Sequence, residues 1–149
     1  MMNKFSSVGK IIYDPKRDSM KKNTNWWCVI NVDREITRYY RWFIQKKFWG
    51  NSAITPNWLC QPSWDAHISV VRGEQPTPEY MPKWKEHHAQ KVQFEYFNDI
   101  RSIVRNDGDV YWIVSVQAPI IEKIRNDLGL YSEGYTYHLT IGRTWTNSN

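Results

Sequence analysis

Cysteine is nearly missing. Cys28 and Cys60 are the only two in 149 residues, each set in an apolar or aromatic stretch and without paired spacing. That argues against a disulfide framework and a cysteine-based metal knuckle, and makes a reducing cytosol the simplest home. Long apolar runs are missing too: none approaches the roughly 20 residues of a membrane helix. The opening Met1 to Lys10 also lacks the hydrophobic centre of a signal peptide, so the chain is expected to be soluble and not exported. Acidic residues are outnumbered, 15 against 20 basic, for a formal charge of +5 that favours anionic partners such as phosphates. The length suits one domain, residues 1–149, and not two independent ones. What is plentiful is aromatic: nine Trp and nine Tyr, which serve as core filling and as platforms for nucleobases.

Along the chain, Lys10 to Tyr13 reads as a short strand and Lys16 to Asn25 as a polar, basic connection. Trp26 to Val32 suits a buried strand. Asp33 then caps a helix from about Arg34 to Trp49, which Gly50 stops, with Ile36, Tyr39, Tyr40, Phe43 and Lys47 forming its inward stripe. Asn51 to Ser63 is a loop and Trp64 to Arg72 a strand; Gly73 to Pro82 is a loop, and Trp84 to Gln90 has no clear assignment. Residues 91–97 and 110–117 alternate as strands, joined as a hairpin through Asn106-Asp107-Gly108-Asp109. Pro119 opens a helix with Ile120, Ile121, Ile124 and Leu128 on one face, Gly129 closes it, and Thr136 to Arg143 is the last strand. Strand, helix, strand thus occurs twice, in lobes of roughly 26–72 and 91–143. The expected fold class is α+β, built from pseudo-duplicated β-α-β halves with a cleft between antiparallel sheets.

Each half ends in the same short pattern: His67-Ile-Ser69 and His138-Leu-Thr140. Side chains alternate across a strand, so His67 and Ser69 share a face, as do His138 and Thr140, while Ile68 and Leu139 point into a core. One strand His beside a hydroxyl is commonplace; two at matched positions are not. With the strands side by side, a cleft would hold two imidazoles and two hydroxyls, sufficient for phosphodiester cleavage without a metal. Imidazole suits both proton transfers because its ordinary pKa near 6.5 lets both forms coexist at cellular pH. The remaining histidines, His87 and His88, are adjacent and point in different directions, and Asp65 and Glu133 make no recognised ligand spacing. No metal or other cofactor is expected, and His87-His88 reads as solvent-exposed.

Arg72 and Arg143 stand just past the two motifs, placed either to reach phosphates or to cap strand ends. Tyr13, Tyr135, Tyr137 and Trp145 are the candidates for stacking on a base, whereas Trp26, Trp27, Trp42 and Trp112 are better explained as core. Trp84 is open to two readings, a lid over ligand or a packing anchor.

With these motifs the chain resembles the 2H phosphoesterase superfamily, named for two His-x-Ser/Thr motifs on a two-lobed α+β fold. More narrowly, the opening from Met1 to Pro15, Asn25-Trp26-Trp27-Cys28 and the segment Trp64 to Gly73 resemble the anti-CBASS nucleases of T4-like bacteriophages. The resemblance implies His67 and His138 as the catalytic pair and Ser69 and Thr140 as phosphate-binding hydroxyls, Ser69 standing where many relatives carry Thr. It also implies cyclic di- and trinucleotides as substrates, the host bacterial cytoplasm as location, and no membrane or obligate protein partner. Two other readings compete: a nucleotide- or nucleic-acid-binding protein without catalysis, and a 2H enzyme acting on 2′-5′ linkages or 2′,3′-cyclic phosphates of RNA.

Overall fold

Period-two apolar alternation dominates the chain, and the architecture follows it. The computed structural model describes residues 3–16, 25–49, 59, 66–105, 108–132 and 136–144. In chain order these form β1 (Lys4–Tyr13), β2 (Trp27–Asn31), α1 (Arg34–Ile44) with a π turn (Gln45–Trp49), and β3 (His67–Arg72). Next come a 3-10 turn (Met81–Lys83), β4 (Lys91–Phe97), β5 (Arg101–Val104), β6 (Val110–Gln117), α2 (Pro119–Asp127) and β7 (Tyr137–Thr144).

All seven strands belong to one antiparallel sheet in the order β4-β1-β2-β3-β7-β6-β5, and β4 also pairs with β6. The last pairing closes β4, β1, β2, β3, β7 and β6 into a six-stranded barrel. This corrects the expected α+β fold of two β-α-β halves. Strands from both ends of the chain share one ring, and the helices are two short additions. Two features of β1 and β5 account for the difference. β1 starts at Lys4 and spans ten residues, long enough to pair with β4 along Lys4 to Lys10 and with β2 along Lys10 to Tyr13. β5, with all four residues exposed, was invisible to a search for apolar alternation. The hairpin expected between 91–97 and 110–117 is instead β5–β6, with Arg101 opposite Ile113 and Val104 opposite Val110. β4 meets β6 only at Glu95↔Gln117 and Tyr96↔Val116. Where the chain passes from β4 to β5, the Asp99 carboxylate accepts the Ser115 N–H at 2.8 Å, standing in for a strand partner.

Asp33 caps α1 as expected, accepting from the Glu35 N–H at 2.9 Å. The buried face, however, is Thr37, Tyr40 and Ile44, while Tyr39 and Trp42 are 57% and 54% exposed. Thr37 can be buried because its hydroxyl donates to the Arg34 carbonyl at 3.0 Å. Tyr39 and Trp42 lie near each other on the surface, ring centroids 6.0 Å apart, which removes Trp42 from the expected core. α2 buries Ile121, Ile124, Leu128 and also Arg125, and Gly129 follows it at φ 70°. One row of side chains, Ile11, Ile30, Ile68, Leu139 and Val114, crosses β1, β2, β3, β7 and β6 and belongs to the same core as Tyr40, Ile44, Ile121, Ile124 and Leu128 of the helices. Among the described residues no helix is long and apolar enough to cross a membrane.

Candidate active site

β3 and β7 are neighbours, and Ile68 lies opposite Leu139 in antiparallel register. One residue to either side, that register puts His67 opposite Thr140 and Ser69 opposite His138. Ile68 and Leu139 are fully buried in the helix-facing core, so all four motif side chains share the other face. The sequence motifs therefore interlock, each His facing the other strand's hydroxyl. His67 and His138 are thus diagonal neighbours in the ladder, about 7–8 Å apart.

The flanking strands complete the face. Val29 of β2 opposes Ser69 and Ile113 of β6 opposes Thr140, both essentially buried; Asn31 opposes His67 and Ser115 opposes His138. Apolar walls with polar groups at the ends give a partly dry site, in which charge interactions are strengthened.

Arg72 and Arg143 each follow their His by five residues, an odd spacing that would carry them to the core face of a regular strand. Both strands break that rule identically. The pairing of β2 with β3 shifts register between Cys28 and Val29, leaving Val70 as an extra residue, and Trp27 then opposes Arg72. The pairing of β6 with β7 shifts between Trp112 and Ile113, leaving Ile141 extra, and Tyr111 opposes Arg143. These are β-bulges, which re-aim the side chains beyond them. The segments His67–Arg72 and His138–Arg143 accordingly show the same succession of half-buried and buried residues, with both arginines half-buried on the histidine side.

Burial above all, then Arg72, Arg105, Arg101 and His67, push the His138 imidazole down to about 4. His138 is therefore neutral at neutral pH, a proton acceptor facing a cluster of guanidinium groups. Arg101 opens β5 and Arg105 directly follows it; neither was anticipated. Arg101 Nη1 donates to Asp99 at 2.6 Å and to the Ser115 hydroxyl at 2.9 Å, and Ser115 Oγ donates to Asp99 Oδ2 at 2.5 Å. Burial works against charge on Asp99, yet the Ser115 bonds and Arg101 hold its carboxyl below the usual range. Arg105 lies over the Tyr111 ring at 5.0 Å. The sequence signal for these residues was the Arg-x-Ile-x-Arg alternation from 101 to 105, too polar to be read as a strand.

Other expected residues lie elsewhere. Tyr13 is 3% exposed, its ring against the edge of Trp84 at 4.9 Å and 73°, so it offers no face to a base. Burial raises its phenol pKa well above the ordinary value. Tyr137 is also buried, on the core side of β7, because the alternation that exposes His138 turns its neighbour inward. Trp145 and Tyr135 lie outside the described residues. Trp84 is a packing anchor, donating to Asp14 Oδ2 at 3.1 Å and meeting Trp26 edge-on at 5.2 Å. Trp112 is half-buried and packs against the core, as expected, whereas half-buried Trp27 belongs to the site face.

His88 is exposed and accepts the Tyr13 N–H at 3.2 Å, but His87 is half-buried, against expectation. Ligand atoms of Glu86, His87 and Asp127 lie within 4.8 Å of one another. Lys123 already donates to Asp127 at 2.9 Å, and with Lys83 it lowers that carboxyl's pKa, so ammonium charge occupies the place a cation would take. A cavity of about 470 Å³ opens beside Ser115 and Thr136, with Glu95 and Glu122 in its lining. Those carboxylates make it less suited to an anion than the histidine face with its arginines. Comparisons with protein-family models, curated proteins and solved structures find no match for this chain.

Proposed function

We propose that the protein is a metal-independent phosphodiesterase acting on cyclic di- and trinucleotides. The observation that supports this most directly is the β3–β7 register, which sets two imidazoles and two hydroxyls on one face of neighbouring strands, with Arg72 and Arg143 beyond the bulges. In the reaction, the ribose 2′-oxygen attacks the adjacent 3′,5′-phosphodiester. The new 2′-O–P bond forms as the P–O5′ bond breaks, leaving a linear product ending in a 2′,3′-cyclic phosphate. Neutral His138 takes the 2′ proton, and protonated His67 gives one to the departing 5′-oxygen.

The environment of His138 supports its assignment as base. Burial first, and then Arg72, Arg105 and Arg101, hold it near 4, so it stands neutral and able to accept a proton, and the negative charge of a bound diester counters the part due to the arginines. Ser69 and Thr140 donate to the non-bridging phosphate oxygens, and Arg72 and Arg143 balance the charge that grows on them. A purely binding role leaves unexplained why each imidazole is set against a hydroxyl across the strand pair. The resemblance to anti-CBASS nucleases adds the biological role: destruction, in the cytoplasm of an infected bacterium, of the cyclic nucleotide messengers that would trigger CBASS defence.

The test is incubation of wild type and His138→Ala with cyclic di- and trinucleotides in excess EDTA, with products resolved by mass. Linear products with a terminal cyclic phosphate from wild type alone are expected; intact ligand with both proteins would reject the assignment.

A further inference from the structure

The two bulges need support, because an extra residue in a ladder leaves its backbone groups without their regular partners. In both cases an arginine supplies it. Arg125 of α2 donates from Nη1 to the Val70 carbonyl at 2.9 Å, and Arg41 of α1 donates from Nη1 to the Ile141 carbonyl, also at 2.9 Å. Val70 and Ile141 are the two extra residues themselves.

The bracing is crossed. α1 lies between β2 and β3 in the chain yet reaches β7, and α2 lies between β6 and β7 yet reaches β3. Arg125 is anchored further by a two-pronged pair with Glu74, 2.8 and 2.7 Å, and by the Tyr131 carbonyl at 2.5 Å; Glu74 in turn accepts the Arg72 N–H at 3.2 Å. The planar guanidinium suits this role, since it spans several acceptors in fixed geometry.

We propose that Arg41 and Arg125 are positioning residues: by holding the bulges at Ile141 and Val70, they keep Arg143 and Arg72 turned toward the histidine face. The inference rests on the phosphodiesterase reading for what the turned arginines do, but the bracing itself does not depend on it. Neither brace touches substrate; each acts through the strand that the other half's motif occupies.

The test uses Arg41→Met in the full chain, because removing Arg125 would also strand the Glu74 carboxylate. The first measurement is amide hydrogen exchange, which is independent of activity. Loss of the brace is expected to speed exchange roughly tenfold or more at residues 141–144 while leaving 67–72 unchanged; unchanged exchange at 141–144 overturns the proposal. The second is a double-mutant cycle on kcat/KM with a cyclic dinucleotide. Arg41→Met is expected to cost roughly 10- to 100-fold in an otherwise wild-type protein and nothing further once Arg143→Ala is present, whereas its effect multiplies with that of Arg72→Ala. Full multiplication in both backgrounds marks a merely structural residue and overturns the proposal. If wild type cleaves no cyclic nucleotide, the functional reading falls, and the exchange experiment still decides the brace.

Discussion

Set side by side, the six residues of His67–Arg72 and the six of His138–Arg143 share little sequence beyond His, the hydroxyl and Arg, yet they have the same burial, the same bulge and the same helix-borne arginine on the bulge carbonyl. Their flanks match as well, Trp27, Val29 and Asn31 on β2 answering Tyr111, Ile113 and Ser115 on β6. The differences lie outside this frame. The β3 side is tied down by the pair of buried Arg125 with half-buried Glu74, and the β7 side carries Asp99, Arg101 and Arg105 around Ser115 and His138. The comparison separates what the two motifs share, imidazole, hydroxyl and guanidinium on one face, from what surrounds His138 alone.

The sharpest break comes at the histidines. His67→Ala and His138→Ala should each lower kcat by roughly 10²- to 10⁴-fold, and the double variant should lose little more than either one, since the two act as a unit; turnover of a cyclic dinucleotide in EDTA measures this. Next comes unequal bracing. Arg125→Met removes a buried guanidinium bonded to the Val70 carbonyl, Tyr131 carbonyl and Glu74, and should cost about 2–3 kcal/mol of stability; Arg41→Met should cost less, about 1 kcal/mol for its bond to the Ile141 carbonyl; urea denaturation of the two variants compares the halves.

The hydroxyls come after these. Ser69→Ala and Thr140→Val should each lower kcat/KM about tenfold, one charge-assisted hydrogen bond apiece.

The burial of His138 should also show in the pH dependence. The acid limb of kcat/KM for the wild type is expected near pH 4, where free His138 gains its proton, and not near the usual 6.5 of imidazole. The same group links to stability. Between about 4 and 6.5 the unfolded chain binds a proton at position 138 that the folded one does not, so this contribution is complete above 6.5 and declines as pH falls toward 4. Thermal melts of wild type and His138→Gln across that window should diverge only there. The smallest effect is expected from Ser69→Thr, which makes the two motifs alike and should change kcat/KM by less than about threefold, the donor being kept.

Legibility from sequence followed locality. The strands at 27–31, 67–72, 110–117 and 137–144 and the caps Asp33 and Gly129 rest on neighbours two to four residues apart, and each was readable. That His67 and Ser69 share a face, as do His138 and Thr140, was readable for the same reason. α1 was found but rotated, because aromatic side chains pass for core in any periodicity count, and only its packing beside β7 decides that Thr37 goes in and Trp42 out. Tyr13 and Tyr137 were misplaced as base platforms because being beside a motif in sequence says nothing about which side of the sheet a ring occupies.

By itself the chain determined the chemistry on offer: paired His and hydroxyl at a spacing of two, on segments whose alternation can only be strand. Tertiary structure decided everything that depends on closure and register. It joined both halves into one ring through β1 and β4, brought Arg101 of β5 and Arg105 just beyond it to the site, set His67 against Thr140 and Ser69 against His138, and turned Arg72 and Arg143 by a bulge apiece. The reason is physical. Alternation is a property of adjacent residues, whereas register, bulges and the arginines that hold them come from hydrogen bonds between segments up to a hundred residues apart, whose energies no local pattern encodes.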